Sequence, residues 1–242
     1  PVKVMNGTMG VRVEASLERS DGNLRWVNCR LVSDLVNSKG DIFGEPRLHH
    51  EAKVRLVASG DDLCSFLQNE VDALPAIGTP ADGELIHHSS FIYLRYFHGP
   101  RFQSHGGVLR GIENGIDGIA LMRHQLPATD QFTSESDGEE VLLDALPMLI
   151  EAGFQNAGLA AMESDGFSSL PIGIEWSTML RVPEVDEKLR MRSVKVATED
   201  AGVTVHDVVI VGDDDAPVIA LKGLRLKAMG EVPEDQRFTL ER

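Results

Sequence analysis

Asp144 is the residue of this chain whose type and position most favour chemistry. It follows Leu142 and Leu143 in the segment VLLDALPMLIEAGFQNAGLAAM, where apolar residues recur every three or four positions. That spacing predicts a helix from Val141 to about Ala161. Pro147 lacks a backbone N–H and does no harm in a first turn, so we expect Asp144 at or next to the N-cap.

A carboxyl group at the positive end of a helix, among leucines, suits two chemical tasks. Burial among apolar side chains raises the pKa of a carboxyl, which can then donate a proton near neutral pH. The free N–H groups of the helix N-terminus can also polarise a carbonyl group. The alternative for Asp144 is a simple N-cap without chemistry, because capping is a common use of aspartate.

The remaining candidate metal ligands favour structural explanations. His49-His50 and His87-His88 fall in strand-like stretches, where neighbouring side chains point to opposite faces and cannot chelate one ion. Asp213-Asp214-Asp215 lacks the alternating ligands and central glycine of a calcium loop. Cys29 and Cys64 stand alone in apolar runs, as small buried side chains do. We therefore expect no metal site.

Composition and charge exclude several classes of partner. The 242 residues carry a formal net charge of −15, whereas nucleic-acid binders need a surplus of Lys and Arg. No segment approaches the roughly 18 consecutive apolar residues of a membrane helix, and the N-terminus has no signal pattern. We expect a cytoplasmic protein without nucleic-acid or membrane partners. Because the chain opens at Pro1 on strand-like residues, we also expect a piece of a longer chain.

Hydrophobic patterning divides the chain into two halves. The first half spans residues 1–71. From Val2 to Ser59 the pattern predicts antiparallel strands, with a hairpin turn at Ser20-Asp21-Gly22-Asn23, and a short helix is predicted over Asp61–Val71. Residues 72–85 are rich in Pro and Gly and predict a linker.

The second half spans residues 86–230. Strands are predicted to resume near Phe91 and to turn at Glu113-Asn114-Gly115, before the helix and a further run of antiparallel strands. Residues 231–242 form a charged tail that we expect to leave the fold.

Two short motifs together resemble the signature of polyketide-synthase dehydratase domains. Phe97-His98-Gly99-Pro100-Arg101-Phe102-Gln103 resembles the turn that opens the second of two fused hotdog folds, and Leu142-Leu143-Asp144-Ala145 resembles the start of that fold's helix. The segment Ser169-Leu170-Pro171-Ile172-Gly173 is similar to the loop that follows the helix. The F-H-G-P-R form is most similar to dehydratase-like domains of bacterial polyunsaturated fatty acid synthases and related iterative synthases.

The resemblance implies an α+β double hotdog: two antiparallel sheets, with a long helix in the second half wrapped by its sheet. Residues 1–71 would be the later strands of the first hotdog, which would be incomplete at its N-terminus. Asp144 would occupy the ancestral acid position. The substrate tunnel would be lined by His98, Gly99, Pro100, Phe102, Met148 and Pro171. For His98, the residues alone also allow a turn histidine bonded to backbone.

The resemblance also implies partners. An acyl carrier protein would present 3-hydroxyacyl chains on its phosphopantetheine arm, next to neighbouring synthase domains. The domain itself would hold no cofactor, and a homodimer is allowed.

Two departures from the family's pattern bear on activity. None of the eight histidines has Gly at +4 and Pro at +9, as the family's catalytic histidine motif requires. Met148 stands where the family has Gln or His, and a thioether is no useful donor to Asp144. We therefore expect a pseudo-dehydratase with a structural or carrier-docking role. Two alternatives stay open: an active dehydratase whose histidine lies upstream of Pro1, and a stand-alone hotdog thioesterase or hydratase.

Overall fold

The computed structural model describes residues 10–37, 39–57, 85–99, 102–122, 140–184, 187–200, 202–237 and 240. The chain divides into two compact units, Pro1–Asn69 and Glu70–Arg242. The helix predicted over Asp61–Val71 lies outside the described residues, as does the linker predicted over residues 72–85 apart from Leu85.

The described part of the first unit is a three-stranded antiparallel sheet in the order β1-β2-β3. Its strands are β1 (Arg12–Asp21), β2 (Leu24–Ser33) and β3 (Arg47–Val57). The predicted Asp-Gly turn joins β1 to β2, and Gly22 has a φ of 53°, a conformation that glycine adopts without strain. The guanidinium of Arg19 lies 3.9 Å from the ring centroid of Trp26 across this hairpin.

The described strands of the second unit form one antiparallel sheet. They are β4 (His87–His88), β5 (His105–Ile112), β6 (Gly115–Ala120), β7 (Phe167–Gly173), β8 (Trp176–Met179), β9 (Leu189–Glu199), β10 (Val203–Val211) and β11 (Pro217–Glu231). The order is β4-β5-β6-β9-β10-β11-β7, with β8 also paired to β11. Asn114, with a φ of 57°, makes the predicted turn between β5 and β6.

The segment around Phe91 does not form the predicted strand. Residues Ser89–Tyr93 form a short helix, α1, directly after β4. Its one buried residue is Ile92, which packs in a cluster with Val108 and Leu159. A single turn is too short for a periodic pattern to distinguish from a strand, which explains the wrong prediction.

The long helix α2 runs over Glu140–Asp165, 26 residues, and begins one residue before the predicted Val141. Pro147 therefore lies inside it, and Asp144 is an interior residue rather than an N-cap. The segment from Glu140 to Leu146 contains Glu, Leu and Ala, which favour helix, so its added turns offset the hydrogen bond lost at Pro147. The side chains of residues 140–146 lie outside the described part of the structure.

One face of α2 packs on the sheet. Leu149, Ala152, Ala157 and Ala161 are buried against Leu189, Met191, Val208, Ile210, Leu221 and Leu224. The helix can approach closely because it carries Gly153, where an added Cβ would come within 2.6 Å of Leu221 Cδ1. Burial of these apolar side chains is the main interaction that holds the helix to the sheet.

A charged triad links three neighbouring strands of the sheet. Asp117 of β6, whose side chain is 3% exposed, accepts hydrogen bonds from Arg110 of β5 and Arg192 of β9. The Arg192 contacts are bidentate, at 2.6 and 2.7 Å, and the Arg110 contact is 2.7 Å. Asp117 lies directly opposite both arginines in the strand pairing. The buried carboxylate is therefore compensated from both sides.

The described residues of the predicted tail, 231–237 and 240, do not leave the fold as predicted. Val232 and Leu240 are each 8% exposed and pack in the cluster with Ile92, and Gln236 accepts a hydrogen bond at its carbonyl from Arg95 Nε at 2.9 Å. The tail was predicted from its many charged residues, and the two apolar residues among them were overlooked. Burial of Val232 and Leu240 stabilises their contact with the domain.

Candidate functional site

Four positions of α2 lie along one stripe of the helix. Asp144, Met148, Glu151 and Gln155 follow one another at steps of four, three and four residues, which places them on the same face. Met148 is buried, with 5% exposure. The stripe is therefore apolar one turn after Asp144 and polar again over the two following turns.

Glu151 is the centre of a hydrogen-bonded cluster on this stripe. Its Oε1 lies 2.9 Å from His98 Nε2, and the two side chains are 23% and 17% exposed. The same oxygen accepts a hydrogen bond from Gln155 Nε2 at 2.9 Å. His98 is therefore bound to a carboxylate, and not to backbone as a turn histidine would be.

Gln155 joins the helix to α1 and to the turn that contains His98. Its Nε2 also donates to the carbonyl of Phe102 at 2.6 Å, and its Oε1 accepts from Tyr93 Oη at 2.7 Å. Tyr93 Oη in turn accepts from the backbone N–H of His105 at 2.7 Å. Burial, with the nearby Glu151 charge, raises the pKa of Tyr93 well above its ordinary value, so the phenol stays protonated.

The turn around His98 is closed by its own hydrogen bonds. The N–H of Phe102 donates to the carbonyl of Gly99 at 2.9 Å, and Gln103 Nε2 donates to the carbonyl of His98 at 3.1 Å. The Phe97 ring stacks on the imidazole at a centroid distance of 4.7 Å, and Tyr96 approaches it edge-on at 5.3 Å. The Nδ1 atom of His98 is buried and has no hydrogen-bond partner among the described residues.

The structure brings together only part of the predicted tunnel lining. His98, Gly99 and Phe102 share one turn, and Gln155 links that turn to the stripe containing Met148. Pro171 lies on β7, where it is exposed and opposes Leu226 of β11. Pro100 and the side chain of Asp144 lie outside the described residues.

Glu151, Gln155 and Tyr93 were not predicted from the sequence as site residues. Two of these could have been found, because Glu151 and Gln155 lie seven and eleven residues after Asp144 and so continue its helical stripe. Tyr93 carried no such signal, since it was assigned to a strand.

His105 is a buried histidine with a structural role. Its Nδ1 accepts from the N–H of Gly107 at 3.2 Å, and its Nε2 lies 3.0 Å from Asn156 Oδ1. Asn156 Nδ2 donates to Ser193 Oγ at 2.8 Å. Burial lowers the pKa of His105 to about 4, so the ring is neutral, with its proton on Nε2. Both nitrogens are engaged, which leaves this histidine no part in proton transfer.

Within the described residues, no group of three or more His, Cys, Asp or Glu side chains could hold a metal ion. In the same residues, no helix is long and apolar enough to cross a membrane.

The family model for the polyketide synthase dehydratase N-terminal domain matches residues 80–236, more than half of the chain. The chain therefore belongs to the polyketide synthase dehydratase family. No curated protein sequence matches it.

Solved structures of dehydratase domains share its fold. The dehydratase domain of a trans-AT polyketide synthase from Brevibacillus brevis aligns with a TM-score of 0.59 and 16% identity, over 91% of this chain and 70% of that one. The dehydratase domain of RzxB from Pseudomonas fluorescens aligns with a TM-score of 0.56 and 14% identity, over 90% of this chain and 68% of that one. The dehydratase domain of the CurJ module of the curacin polyketide synthase aligns with a TM-score of 0.57 and 14% identity, over 90% of this chain and 68% of that one. The predicted α+β double hotdog is confirmed.

Proposed function

We propose that this domain binds 3-hydroxyacyl chains presented by an acyl carrier protein within a fatty acid or polyketide synthase, without dehydrating them. Dehydration needs a base for the α-proton and an acid for the departing hydroxyl. The family divides these between a histidine motif that is absent from this sequence and the aspartate position, here Asp144.

The observation that carries the proposal is the side chain one turn after Asp144. Met148 is buried and cannot orient a carboxyl group by hydrogen bonding. Glu151, the next polar residue on the stripe, accepts hydrogen bonds from His98 and Gln155 instead. The retained features are the long helix and the His98 turn, which support binding rather than elimination.

The family likeness supports the choice of partner. Domains of this kind would meet an acyl carrier protein and neighbouring synthase domains, and the substrate would arrive on a phosphopantetheine arm, without a cofactor of the domain's own. A polyunsaturated fatty acid synthase as the parent, a cytoplasmic location and a homodimer remain predictions.

The test separates binding from turnover. The 242-residue chain is titrated with the N-acetylcysteamine thioester of 3-hydroxybutyrate, and binding is followed by saturation-transfer NMR. The same mixture is then assayed for the 2-enoyl thioester by mass spectrometry. We expect binding without product. Product that disappears in Asp144→Asn would overturn the proposal and favour the active dehydratase.

A hydrolytic function is the second candidate that this assay addresses. Release of free N-acetylcysteamine by the chain, measured with a thiol reagent, would identify a hotdog thioesterase. We expect thiol release at the rate in buffer alone.

A further inference from the structure

We propose that His98 and Glu151 form an acid–base pair, separate from Asp144, that exchanges the α-proton of a bound acyl thioester without eliminating water. The inference rests on the proposed function, because it needs the domain to bind an acyl thioester. His98 would be the catalytic residue and Glu151 the positioning residue.

The contact between the two side chains fixes the tautomer of the histidine. Because the Glu151 carboxylate can only accept, the hydrogen bond of 2.9 Å places a proton on His98 Nε2. In the neutral ring the lone pair then lies on Nδ1, which has no hydrogen-bond partner among the described residues. This arrangement, a base nitrogen whose opposite nitrogen is held by a carboxylate, is the one that general-base histidines use.

Glu151 is itself held in place. Gln155, 2% exposed, donates to the carboxylate oxygen that faces His98, and it is anchored by the carbonyl of Phe102 and by Tyr93. Tyr93 is anchored by the N–H of His105 at 2.7 Å. A chain of hydrogen bonds therefore runs from the start of β5 to the imidazole, and it restricts rotation of the carboxylate.

The segment that contains His98 carries large exposed apolar side chains. Leu94 and Phe97 are each 83% exposed, and Phe102 is 48% exposed. Phe97 covers one face of the imidazole by stacking, yet most of its own surface is in contact with solvent. The Nδ1 atom is itself buried, so the proposed exchange requires the exposed Phe97 ring and the turn around His98 to move before an acyl chain reaches that nitrogen. Exposed apolar groups next to a hydrogen-bonded polar pair suit an acyl thioester, whose chain is apolar and whose reacting end is polar.

The proposed proton transfer needs no second substrate. The Cα–H bond breaks as an N–H bond forms at His98 Nδ1, and the electron pair moves to the thioester oxygen as an enolate. Reversal returns a proton to the same carbon, and in D2O it returns a deuteron. Elimination would require a second group to protonate the hydroxyl, and this pair does not include one.

The test uses a thioester that has no hydroxyl to lose. The N-acetylcysteamine thioester of butyrate is incubated with the 242-residue chain in D2O, and the loss of its α-proton signal is followed by ¹H NMR. We expect the chain to accelerate exchange over buffer, and His98→Gln to return the rate to that of buffer. Exposed His50 on β3 supplies the matched control, since His50→Gln should keep the full rate.

Glu151→Gln tests the positioning role. Glutamine retains an acceptor for His98 Nε2–H but removes the charge, so we expect the exchange rate at saturation to fall about 10- to 100-fold. The thioester concentration at half-saturation should change little, which a merely structural loss would not reproduce. Circular dichroism and melting temperature check that each variant is folded.

The outcomes distinguish this inference from the proposed function. Binding of the thioester without accelerated exchange overturns the inference alone. Full exchange in His98→Gln, or a loss confined to Asp144→Asn, also overturns it. Absence of binding overturns the proposed function and the inference together.

Discussion

Glu151 accepts two hydrogen bonds at a single oxygen, from His98 and from Gln155. These contacts form a polar cluster on α2. The nearby Asn156 differs, because it is fully buried and serves the packing of helix on sheet. Its amide bonds His105, Ser193 and the carbonyl of Ile116. At the residue scale the helix therefore carries one cluster that is partly open to solvent and one that is closed.

Asn156→Ala should destabilise the protein by about 2–4 kcal/mol, because it leaves buried partners unpaired and creates a cavity. The free energy of unfolding in urea measures the loss. Asn156→Asp keeps the volume but replaces a donor by a carboxylate, so it should destabilise at neutral pH and partly recover in acid. Equal stability of wild type and Asn156→Ala would contradict the structural role.

Two buried histidines predict a dependence of stability on pH. Burial lowers the pKa of His105 and that of His206 to about 4, from 6.5. Between those values the unfolded chain binds more protons than the native one, so stability is full above about pH 6.5 and falls as the pH drops toward 4. The contribution of each is on the order of 3 kcal/mol.

Melting temperatures from pH 4 to 7 measure this slope. His206→Gln should flatten the slope, whereas the same change at the exposed His88 should leave it as in wild type. An unchanged slope in His206→Gln would show that other groups govern the acid response.

At the scale of elements, the sequence predicted what depends on local pattern. Gly22 and Asn114 stand in turns with positive φ, and both hairpins were predicted from their sequences. The long helix was predicted from its periodicity. The N-cap position of Asp144 was predicted wrongly, because Pro147 indicated a first turn at a place where helix formers had already extended the helix. The contact between His98 and Glu151 joins residues distant in sequence, and no local pattern encodes such a meeting.

Pro147→Ala tests the position of the helix start. Inside the helix, the substitution restores a backbone N–H and removes a clash, so stability should rise by about 1–3 kcal/mol. Pro147 is exposed, and little packing is lost. Thermal unfolding measures the gain. A neutral effect would indicate that the helix begins close to Asp144, because proline is tolerated in a first turn.

At the scale of the whole molecule, Leu240, close to the end of the sequence, packs into a core cluster of the second unit. Leu240 packs with Ile92, Val108 and Leu159, so α1, β5, α2 and the C-terminal segment share one cluster. The family likeness alone did not indicate this contact, and the charged composition of the segment argued against it. Leu240, like Val232, is therefore part of the core of the second unit.

Leu240→Ala should cost about 2–3 kcal/mol of stability, through lost burial and a partial cavity. Trp176 lies in the same unit and can report unfolding by fluorescence. Met229→Ala is the matched control, since Met229 is 61% exposed and its loss should change stability by less than about 0.5 kcal/mol. Similar effects of the two substitutions would place Leu240 outside the core.

The Asp117 triad has a consequence for how the sheet assembles. If β6 slipped by one residue against its neighbours, Asp117 would turn to the opposite face, and Arg110 and Arg192 would lose their shared partner. The buried Asp117 carboxylate would then be left without its two arginine partners, so it disfavours a sheet in which β6 is misaligned by one residue.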